Sequence, residues 1–378
     1  MKNRSKHFSK EPVDFVLLVI VFIMLALGII MVMSASAPTS LAKTGNSYKY
    51  VKTQALSAGL GIIAMLVISN IDYKIYKRFD KLIYIVVLIL LASVALVGAE
   101  EGGAKRWIDL GFINFQPSEV AKIGLIIFYA SLLTKNKKRI GEMWGGFFYP
   151  LMYLLPVIAI LVGIQNHLSA TLLIIMIVAI MMLMAGSKLR YFLSFGTAGI
   201  AAGAGALFAY AKITGKGMFR ITRLITFLDP FADTLGDGWQ VVQSLYAIGS
   251  GGLFGVGLGN STQKYAYIPE AHNDFIFSII AEELGFLGCT LVIILFALFI
   301  WRGIIIAMKA PDMFGSLIAV GITSMVGLQA IINIAVVTSS MPNTGMPLPF
   351  FSYGGTSLLI LMASVGVLLN ISRASKTK

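Results

Sequence analysis

The 378-residue chain is 57% hydrophobic and only 12% charged, and it carries a formal net charge of +13. A water-soluble domain of this length cannot bury so much apolar side chain in one core, because the buried fraction rises slowly with chain length. Nucleic acid is excluded as a partner, since the basic residues are scattered over short connectors and not gathered on a soluble module. The composition therefore indicates an integral membrane protein.

Apolar runs alternate with short polar connectors along the whole chain. Each run is about 18 residues or longer, which as a helix crosses about 30 Å of hydrocarbon. Strands are excluded as spanning elements, because the runs are continuously apolar and do not alternate between apolar and polar residues. We predict one all-α polytopic membrane domain, residues 1–378, with about ten transmembrane helices. The predicted spans are 14–33, 53–71, 82–98, 117–134, 147–164, 168–186, 191–211, 274–300, 313–337 and 352–371.

Basic residues are concentrated in alternate connectors. They are Lys2, Arg4, Lys6, Lys10, Lys74, Lys77, Arg78, Lys81, Lys135, Lys137, Lys138, Arg139, Lys188, Arg190, Arg302, Lys309, Arg373, Lys376 and Lys378. The positive-inside rule places these connectors and both termini in the cytoplasm. A large extracytoplasmic loop, 212–273, then lies between helices 7 and 8. A mere connector does not need this length, so we expect the loop to carry much of the active site.

A basic segment, Lys105-Arg106-Trp107, lies in the predicted external loop at 99–116. Arg106 and Trp107 are either an interfacial anchor or one wall of a sugar site. In the next span, Pro117 is predicted at the first helical position, and Glu119 and Lys122 are three residues apart. A buried pair of this kind more often fixes helix geometry than reacts, so Glu119 and Lys122 are predicted to give structural support.

Two arginines, Arg220 and Arg223, precede an acidic turn within the large loop. Guanidinium groups at a membrane surface suit phosphate recognition through paired hydrogen bonds. Salt bridges to the nearby aspartates are the alternative. The glycine-rich run 249–259 follows no strand and matches no nucleotide-binding loop, so it is interpreted as a close-packing segment.

An acidic segment leads from the large loop into the eighth predicted span. Asn273 is predicted as the helix N-cap, with Asp274 in the first turn, where the helix dipole favours negative charge. Asp274, Ser278 and Glu282 are spaced by four residues and would share one helix face. Acidic side chains at membrane depth face protein or a wet cavity. The stripe is therefore either the wall of a catalytic cleft or part of a capped helix start.

Several motifs recur in an order that resembles one family. They are Ser34-Ala35-Ser36, Asp72-Tyr73, Arg106-Trp107, Gln116-Pro117-Ser118-Glu119, Arg223, Phe227-Leu228-Asp229-Pro230, Ala247-Ile248-Gly249-Ser250-Gly251-Gly252, Pro269-Glu270-Ala271-His272, Glu282-Glu283-Leu284-Gly285, Asn333 and Ser352-Tyr353-Gly354-Gly355. The chain resembles the SEDS family (shape, elongation, division and sporulation), which includes FtsW, RodA and SpoVE. The turn His167-Leu168-Ser169 is more similar to the FtsW/SpoVE branch.

The resemblance implies an inverting peptidoglycan glycosyltransferase in the bacterial cytoplasmic membrane, with its active site facing outside. Its implied substrate is lipid II, the undecaprenyl-pyrophosphate-linked disaccharide-pentapeptide, for division, sporulation or shape. Its implied partners are a class B penicillin-binding protein and other division or elongation machinery. Carried over to this sequence, the family's essential acidic residue is Asp274.

The chemistry of this implied reaction suggests roles for other residues. Asp274 is expected to act as a general base at a solvated helix start. The candidate substrate-binding residues are Arg223, Arg220, Lys105, Arg106, Trp107, Glu270, His272 and Ser278, and the candidate supporting residues are Glu119, Lys122 and Glu282. A divalent cation, Mg²⁺ or Mn²⁺, could neutralise the pyrophosphate in place of the basic residues.

Two other functions stay open at this point. A flippase or transporter of lipid-linked precursors would need a polar path through the whole bilayer. The charged residues within the predicted spans instead lie toward the outer side, which favours a polymerase. A non-catalytic scaffold for the penicillin-binding protein would leave Asp274 dispensable.

Overall fold

The computed structural model places most of the chain in long helices. It describes residues 13–101, 104–109, 114–197, 199, 205, 227, 229–233, 236, 238–265 and 267–376. Within these residues, nine helical segments are long and apolar enough to cross a membrane. The seventh predicted span, 191–211, is helical over 191–197, and most of its remainder lies outside the described residues. The all-α membrane fold is confirmed, and the count of ten stays a prediction.

The regular elements follow one another with short connections. The helices are α1 (Phe15–Thr44), α2 (Lys49–Ile68), α3 (Lys74–Arg78), α4 (Asp80–Val97), α5 (Pro117–Lys135), α6 (Tyr149–Gly163), α7 (Leu168–Ala185), α8 (Trp239–Gly251), α9 (Ile276–Lys309), α10 (Met313–Val337) and α11 (Gly355–Lys376). A π-helical turn, Trp144–Phe148, extends α6 at its start. The nine spanning helices are all of these except the short α3 and the 13-residue α8. Among them α5, α10 and α11 are the most buried.

The connection from α4 to α5 forms a small antiparallel sheet. Its strands are β1 (Ala99–Glu101), β2 (Ala104–Asp109) and β3 (Asn114–Phe115), in the order β1-β2-β3. Trp107 lies opposite Ala99, and Lys105 lies opposite Glu100. Backbone pairing of this kind gives the Arg106 and Trp107 side chains a more defined position than the predicted loop would provide.

The first spanning helix is longer than the sequence predicts, because it continues past residue 33 to Thr44. The small side chains of Ser34, Ala35 and Ser36 are buried and do not interrupt the helix. It ends at Gly45, whose φ of 69° is the left-handed conformation that terminates many helices. The extra turns carry Lys43 toward the chain that precedes α9.

Helix α9 breaks at Gly285, which has φ 64° and ψ −162°. The Phe286 amide donates to the Gly252 carbonyl at 2.9 Å, and the Val256 amide donates to the Glu282 carbonyl at 2.9 Å. A Cβ at Gly285 would lie 2.3 Å from the Gly255 nitrogen, so only glycine allows this approach. The structure thus supports the close-packing interpretation of the glycine-rich run.

Candidate active site

A cavity of about 830 Å³ opens where α5, α7 and α11 begin. β2, the chain before α9 and the connection between α10 and α11 complete its wall. The predicted site residues that line it are Arg106, Trp107, Glu119, Lys122, Glu270 and Asp274. Residues that are far apart in the sequence are therefore brought to one space.

The start of α9 differs from the prediction. The helix begins at Ile276, its N-cap is Phe275, and that cap makes no side-chain hydrogen bond. The Asn273 amide instead donates to Glu270 Oε2 at 3.1 Å, so it does not cap the helix. Asp274 lies in the preceding turn, where the buried Asn333 amide holds its carbonyl oxygen at 2.7 Å. The predicted N-cap and first-turn positions were wrong by two residues.

The Asp274 carboxylate faces the cavity without a side-chain partner. In the described part of the chain, it accepts a hydrogen bond only from its own backbone amide. Gly345, at φ 64°, leaves room beside it, since a Cβ there would lie 3.5 Å from Oδ2. Burial, with a smaller contribution from the Glu270 charge, raises the pKa of Asp274 to about 6. The carboxylate is therefore a stronger base than an ordinary aspartate, yet still mostly ionised at pH 7.

Glu270 connects the cavity to the end of α1. Its carboxylate lies 2.5 Å from Lys43 Nζ and 3.4 Å from His272 Nε2. Its backbone has a φ of 50°, which non-glycine residues seldom adopt. His272 is only 1% exposed and packs against the rings of Tyr50 and Tyr353, at 4.9 and 5.6 Å between centroids.

His272 therefore supports the wall and does not line the cavity. Burial is the main cause that lowers the pKa of His272, with the Lys43 charge acting in the same direction and Glu270 opposing it. A neutral imidazole between two aromatic rings is a packing element with one polar contact. Its link to substrate would have to pass through Glu270.

The cavity also contains basic side chains, which lie among the carboxylates of Asp109 and Glu119. Lys122 is 3% exposed and its Nζ lies 2.7 Å from Glu119 Oε1, while Arg106 donates to the Asn166 carbonyl at 3.1 Å. Burial, Arg106 and Lys122 together lower the pKa of His167 to about 3, so this imidazole is neutral. Lys49 adds a third cation to the lining.

The remaining predicted residues lie elsewhere. Ser278 is fully buried, and its hydroxyl lies 2.8 Å from the Ser244 hydroxyl on α8. Lys105 is exposed and outside the lining. The expected polar stripe fails because Asp274 precedes the helix and so does not share a face with Ser278. Arg220 and Arg223 lie outside the described residues.

A second polar cluster surrounds Glu282 and Glu283 near the break in α9. Glu282 accepts hydrogen bonds from the Ser261 hydroxyl at 2.5 Å and the Thr262 amide at 2.8 Å. Glu283 forms a buried ion pair with Lys264 at 2.9 Å and accepts from the Ser34 hydroxyl at 2.6 and 2.7 Å. Both glutamates thus attach the loop before Asp274 to α9.

Metal ligands do not converge at the cavity. In the described ranges, no group of three or more His, Cys, Asp or Glu residues is placed to hold a metal ion. Glu270, the acidic neighbour of Asp274, is already paired with Lys43. These residues do not form a protein metal site, so we derive no step through a metal.

Two lysines of the site were missed by the sequence reasoning. Lys43 and Lys49 lie between the first two predicted spans, 14–33 and 53–71, and neither is among the predicted site residues. Lysines on a connector predicted to be external run against the positive-inside rule, and that exception was the available signal.

The fold and the cavity define a multi-pass membrane protein with an aspartate in a cavity lined by both acidic and basic side chains. A family model described as "Cell cycle protein", for FtsW, RodA and SpoVE, matches residues 15–377. The chain therefore belongs to the FtsW/RodA/SpoVE family, and the predicted family is confirmed.

Curated relatives agree over nearly the full chain. It is 41% identical over 370 residues to "Stage V sporulation protein E" of Bacillus subtilis (strain 168), covering 97% of this chain and 99% of that protein. It is 39% identical over 364 residues to "Probable peptidoglycan glycosyltransferase FtsW" of Geobacter sp. (strain M18), covering 96% and 97%. These relatives fit the predicted FtsW/SpoVE branch.

Solved structures share the fold. A chain from "Structural coordination of polymerization and crosslinking by a peptidoglycan synthase complex" superposes with a TM-score of 0.81 at 30% identity, covering 97% of this chain and 99% of that chain. The rod shape determining protein RodA of Thermus thermophilus gives a TM-score of 0.69 at 28% identity, covering 96% and 97%.

Proposed function

We propose that this chain is an inverting peptidoglycan glycosyltransferase that polymerises lipid II into glycan strands. The observation that carries the proposal is the Asp274 carboxylate, which lacks a side-chain partner in the described residues and shares a cavity with Lys49, Arg106 and Lys122. Relatives named as FtsW glycosyltransferases, similar over nearly their whole length, support the same reaction.

Asp274 is the proposed general base. The acceptor sugar hydroxyl transfers its proton to the Asp274 carboxylate as its oxygen attacks the anomeric carbon of the donor. The bond between that carbon and the pyrophosphate oxygen breaks, and the electron pair leaves with the lipid pyrophosphate. One displacement inverts the anomeric centre, so an α-linked donor gives a β-linked glycan. A positioned base contributes roughly 10²–10⁴ in rate.

The three basic residues of the lining, Lys49, Arg106 and Lys122, are proposed to hold the pyrophosphate. This leaving group needs its developing negative charge stabilised more than it needs a proton. Lys122 is held in place by Glu119, and Arg106 by the Asn166 carbonyl, so both charges are positioned before substrate arrives. Neutral His167 adds a polar group without a competing charge. Trp107 offers an aromatic face to a sugar.

The cavity is proposed to open to the outside of the cytoplasmic membrane. This orientation follows from the basic residues at the other end of the bundle, which the positive-inside rule assigns to the cytoplasm together with both termini. A class B penicillin-binding protein is the proposed partner. The described likeness to a chain of a peptidoglycan synthase complex supports that partnership.

Glycan synthesis from purified lipid II tests the proposal. The full chain with its class B partner is compared with Asp274→Asn and with Glu142→Gln, which removes one exposed carboxylate at the other end of α5. Wild type and Glu142→Gln should make polymer, and Asp274→Asn should lose it by about 10²-fold or more.

The same assay separates the alternatives. Polymer from Asp274→Asn at the wild-type rate would remove Asp274 as base and favour a scaffold role. Absence of polymer from every variant, together with lipid II crossing the bilayer of proteoliposomes, would favour a transporter. Addition of a chelator would show whether a divalent cation assists the lysines and arginine.

A further inference from the structure

A second cavity, of about 870 Å³, lies at the other end of α5. Helix α5 spans 19 residues from Pro117, beside the Asp274 cavity, to Lys135 in the second cavity. At 1.5 Å per residue, the two ends of α5 lie about 28 Å apart, roughly the thickness of the hydrocarbon. The cavities therefore belong to opposite leaflets, whichever way the chain is oriented.

The rim of the second cavity is basic. Lys81, Lys135 and Arg139 line it, against one carboxylate, Asp80, so the lining carries a net charge of 3 − 1 = +2. Asp80 is already satisfied, because it accepts from Ser131 and pairs with Lys135.

The other two cations are less compensated. Among the described residues, Arg139 pairs only with the exposed carboxylate of Glu142, which lies outside the lining, at 3.1 Å, and both side chains are more than half exposed. Lys81 has no ion pair within the described ranges. An exposed pair of this kind contributes little and exchanges readily for a stronger anion. The rim can therefore accept a phosphate.

The floor of the cavity is a rigid aromatic cluster. The ring of Tyr84 stacks on Phe128 at 4.4 Å, and Tyr153 contacts Tyr84 at 5.7 Å and Tyr149 at 5.5 Å between centroids. The hydroxyls of Tyr149 and Tyr153 lie 3.4 Å apart. Both tyrosines line the cavity together with the basic side chains, and a tyrosine hydroxyl can donate to a phosphate oxygen.

The cavity opens onto the outer surface of α4. Leu82, Ile85 and Ile89 are each more than half exposed, and Ile85 lines the cavity. Trp144, also more than half exposed, stands at the rim, where an indole suits the membrane interface. A basic rim that continues into an apolar, lipid-facing strip matches a head group joined to acyl chains and not a free ion.

We propose that this cavity binds the phosphate of an anionic membrane phospholipid, whose acyl chains lie along α4. The phosphate contacts Lys81 and Arg139, and the aromatic floor fixes the head group. The proposal rests on residues that the proposed glycosyltransferase reaction does not use, so its test does not depend on the proposed function.

Native mass spectrometry of the delipidated full chain tests this site. The probes are phosphatidylglycerol and phosphatidylethanolamine with identical acyl chains. The double variant Lys81→Gln/Arg139→Gln should weaken phosphatidylglycerol binding by about 30-fold, from two basic groups near the surface. The matched control is Lys74→Gln/Lys309→Gln, which removes two exposed lysines at the same end of the bundle, outside the cavity. It should bind like wild type.

Three outcomes would overturn the proposal. Equal binding of the two lipids by wild type would remove selectivity for an anionic head group. Equal losses in the two double variants would indicate general surface attraction. Displacement of phosphatidylglycerol by inorganic phosphate would indicate a site for the free ion. Tyr149→Phe provides a second check, because it leaves the charges intact and should reduce binding by a smaller factor.

Discussion

Asp274 and the Glu282–Glu283 pair lie within ten residues of each other, yet their surroundings are opposite. Glu282 and Glu283 receive hydrogen bonds or ion pairs from Ser34, Ser261, Thr262 and Lys264. Asp274 accepts only from its own amide within the described chain, and it faces a cavity. Satisfied carboxylates hold this region together, and the one without a side-chain partner among the described residues is the proposed base.

Asp274 and the two glutamates also differ in the free energy of their ionised forms. A buried carboxylate without partners is held in an unfavourable ionised state, which is why its pKa rises. That cost is tolerated only where the surrounding chain is fixed by other contacts. Here Asn333 holds the Asp274 carbonyl, and Glu282 holds the preceding loop at Ser261 and Thr262. We therefore attribute stability to Glu282 and Glu283 and the proposed reactivity to Asp274.

Neutralising Asp274 and neutralising Glu282 should have opposite effects on rate and stability, and the rate loss in Asp274→Asn is the largest effect that we expect. Asp274→Asn should lower the polymerisation rate by about 10²–10⁴ without lowering the unfolding midpoint, since a neutral amide suits the buried position. Glu282→Gln should lower stability and leave the rate intact. Because it loses hydrogen bonds to a charged group, the free energy of unfolding should fall by about 1.5–3 kcal/mol. The polymerisation rate of the folded fraction should stay close to that of wild type. Rates and thermal unfolding are measured on the same preparations. A lowered midpoint in Asp274→Asn would contradict the division of roles.

Lys264→Met tests the polar cluster around Glu282 and Glu283 directly. It leaves the Glu283 charge buried without its ion-pair partner, at a cost of about 3–5 kcal/mol. The double variant Lys264→Met/Glu283→Gln removes both charges and should recover most of that loss. Thermal unfolding in detergent gives the comparison. If the double variant is less stable than Lys264→Met alone, the ion pair is not what Lys264 contributes.

Glu270→Gln sharpens the account of Asp274. The Glu270 charge helps to raise the pKa of Asp274, so its removal should lower that pKa. Because the base acts in its ionised form, the acid limb of the pH–rate profile should move to lower pH. Glu142→Gln is the control, and its profile should match that of wild type. A shift to higher pH in Glu270→Gln would show that Glu270 acts on Asp274 by another route.

Lys43→Met should have the smallest effect. The Lys43–Glu270 pair is about half exposed on both sides, so its loss should change the free energy of unfolding by under about 1 kcal/mol. A large loss of stability would mean that α1 secures the active-site segment more strongly than this pair accounts for. Thermal unfolding again provides the measurement.

Much of the fold could be predicted, because long apolar runs in a membrane allow only helices. The ends were harder to predict. Ser34–Ala37 looked like the end of a span, but small residues pack inside a helix as well as at its boundary, and α1 continues to Thr44. The break at Gly285 depends on hydrogen bonds to residues 252–257, a long-range pairing that a local pattern does not encode.

Candidate site residues could be predicted where they belong to a sequence motif. Residues that reach the cavity only through the packing of distant segments could not. Asp274 followed from its position and the family resemblance, and the cavity also contains Arg106 and Trp107 as candidates. Ser278 was placed there by helical spacing, and that spacing failed because the helix begins two residues later. Lys43 and Lys49 come from a segment distant in sequence, which only the packing of α1 and α2 brings close.

The pH dependence of glycan synthesis is the most direct test of the central claim, that the Asp274 carboxylate is the base. The wild-type chain, bound to its class B partner, is assayed under single-turnover conditions across the acid range. The account predicts that the rate falls about tenfold per pH unit below about 6 and is level above it, as the raised pKa of Asp274 requires. A rate that stays level down to about pH 4, near the ordinary pKa of aspartate, would contradict it.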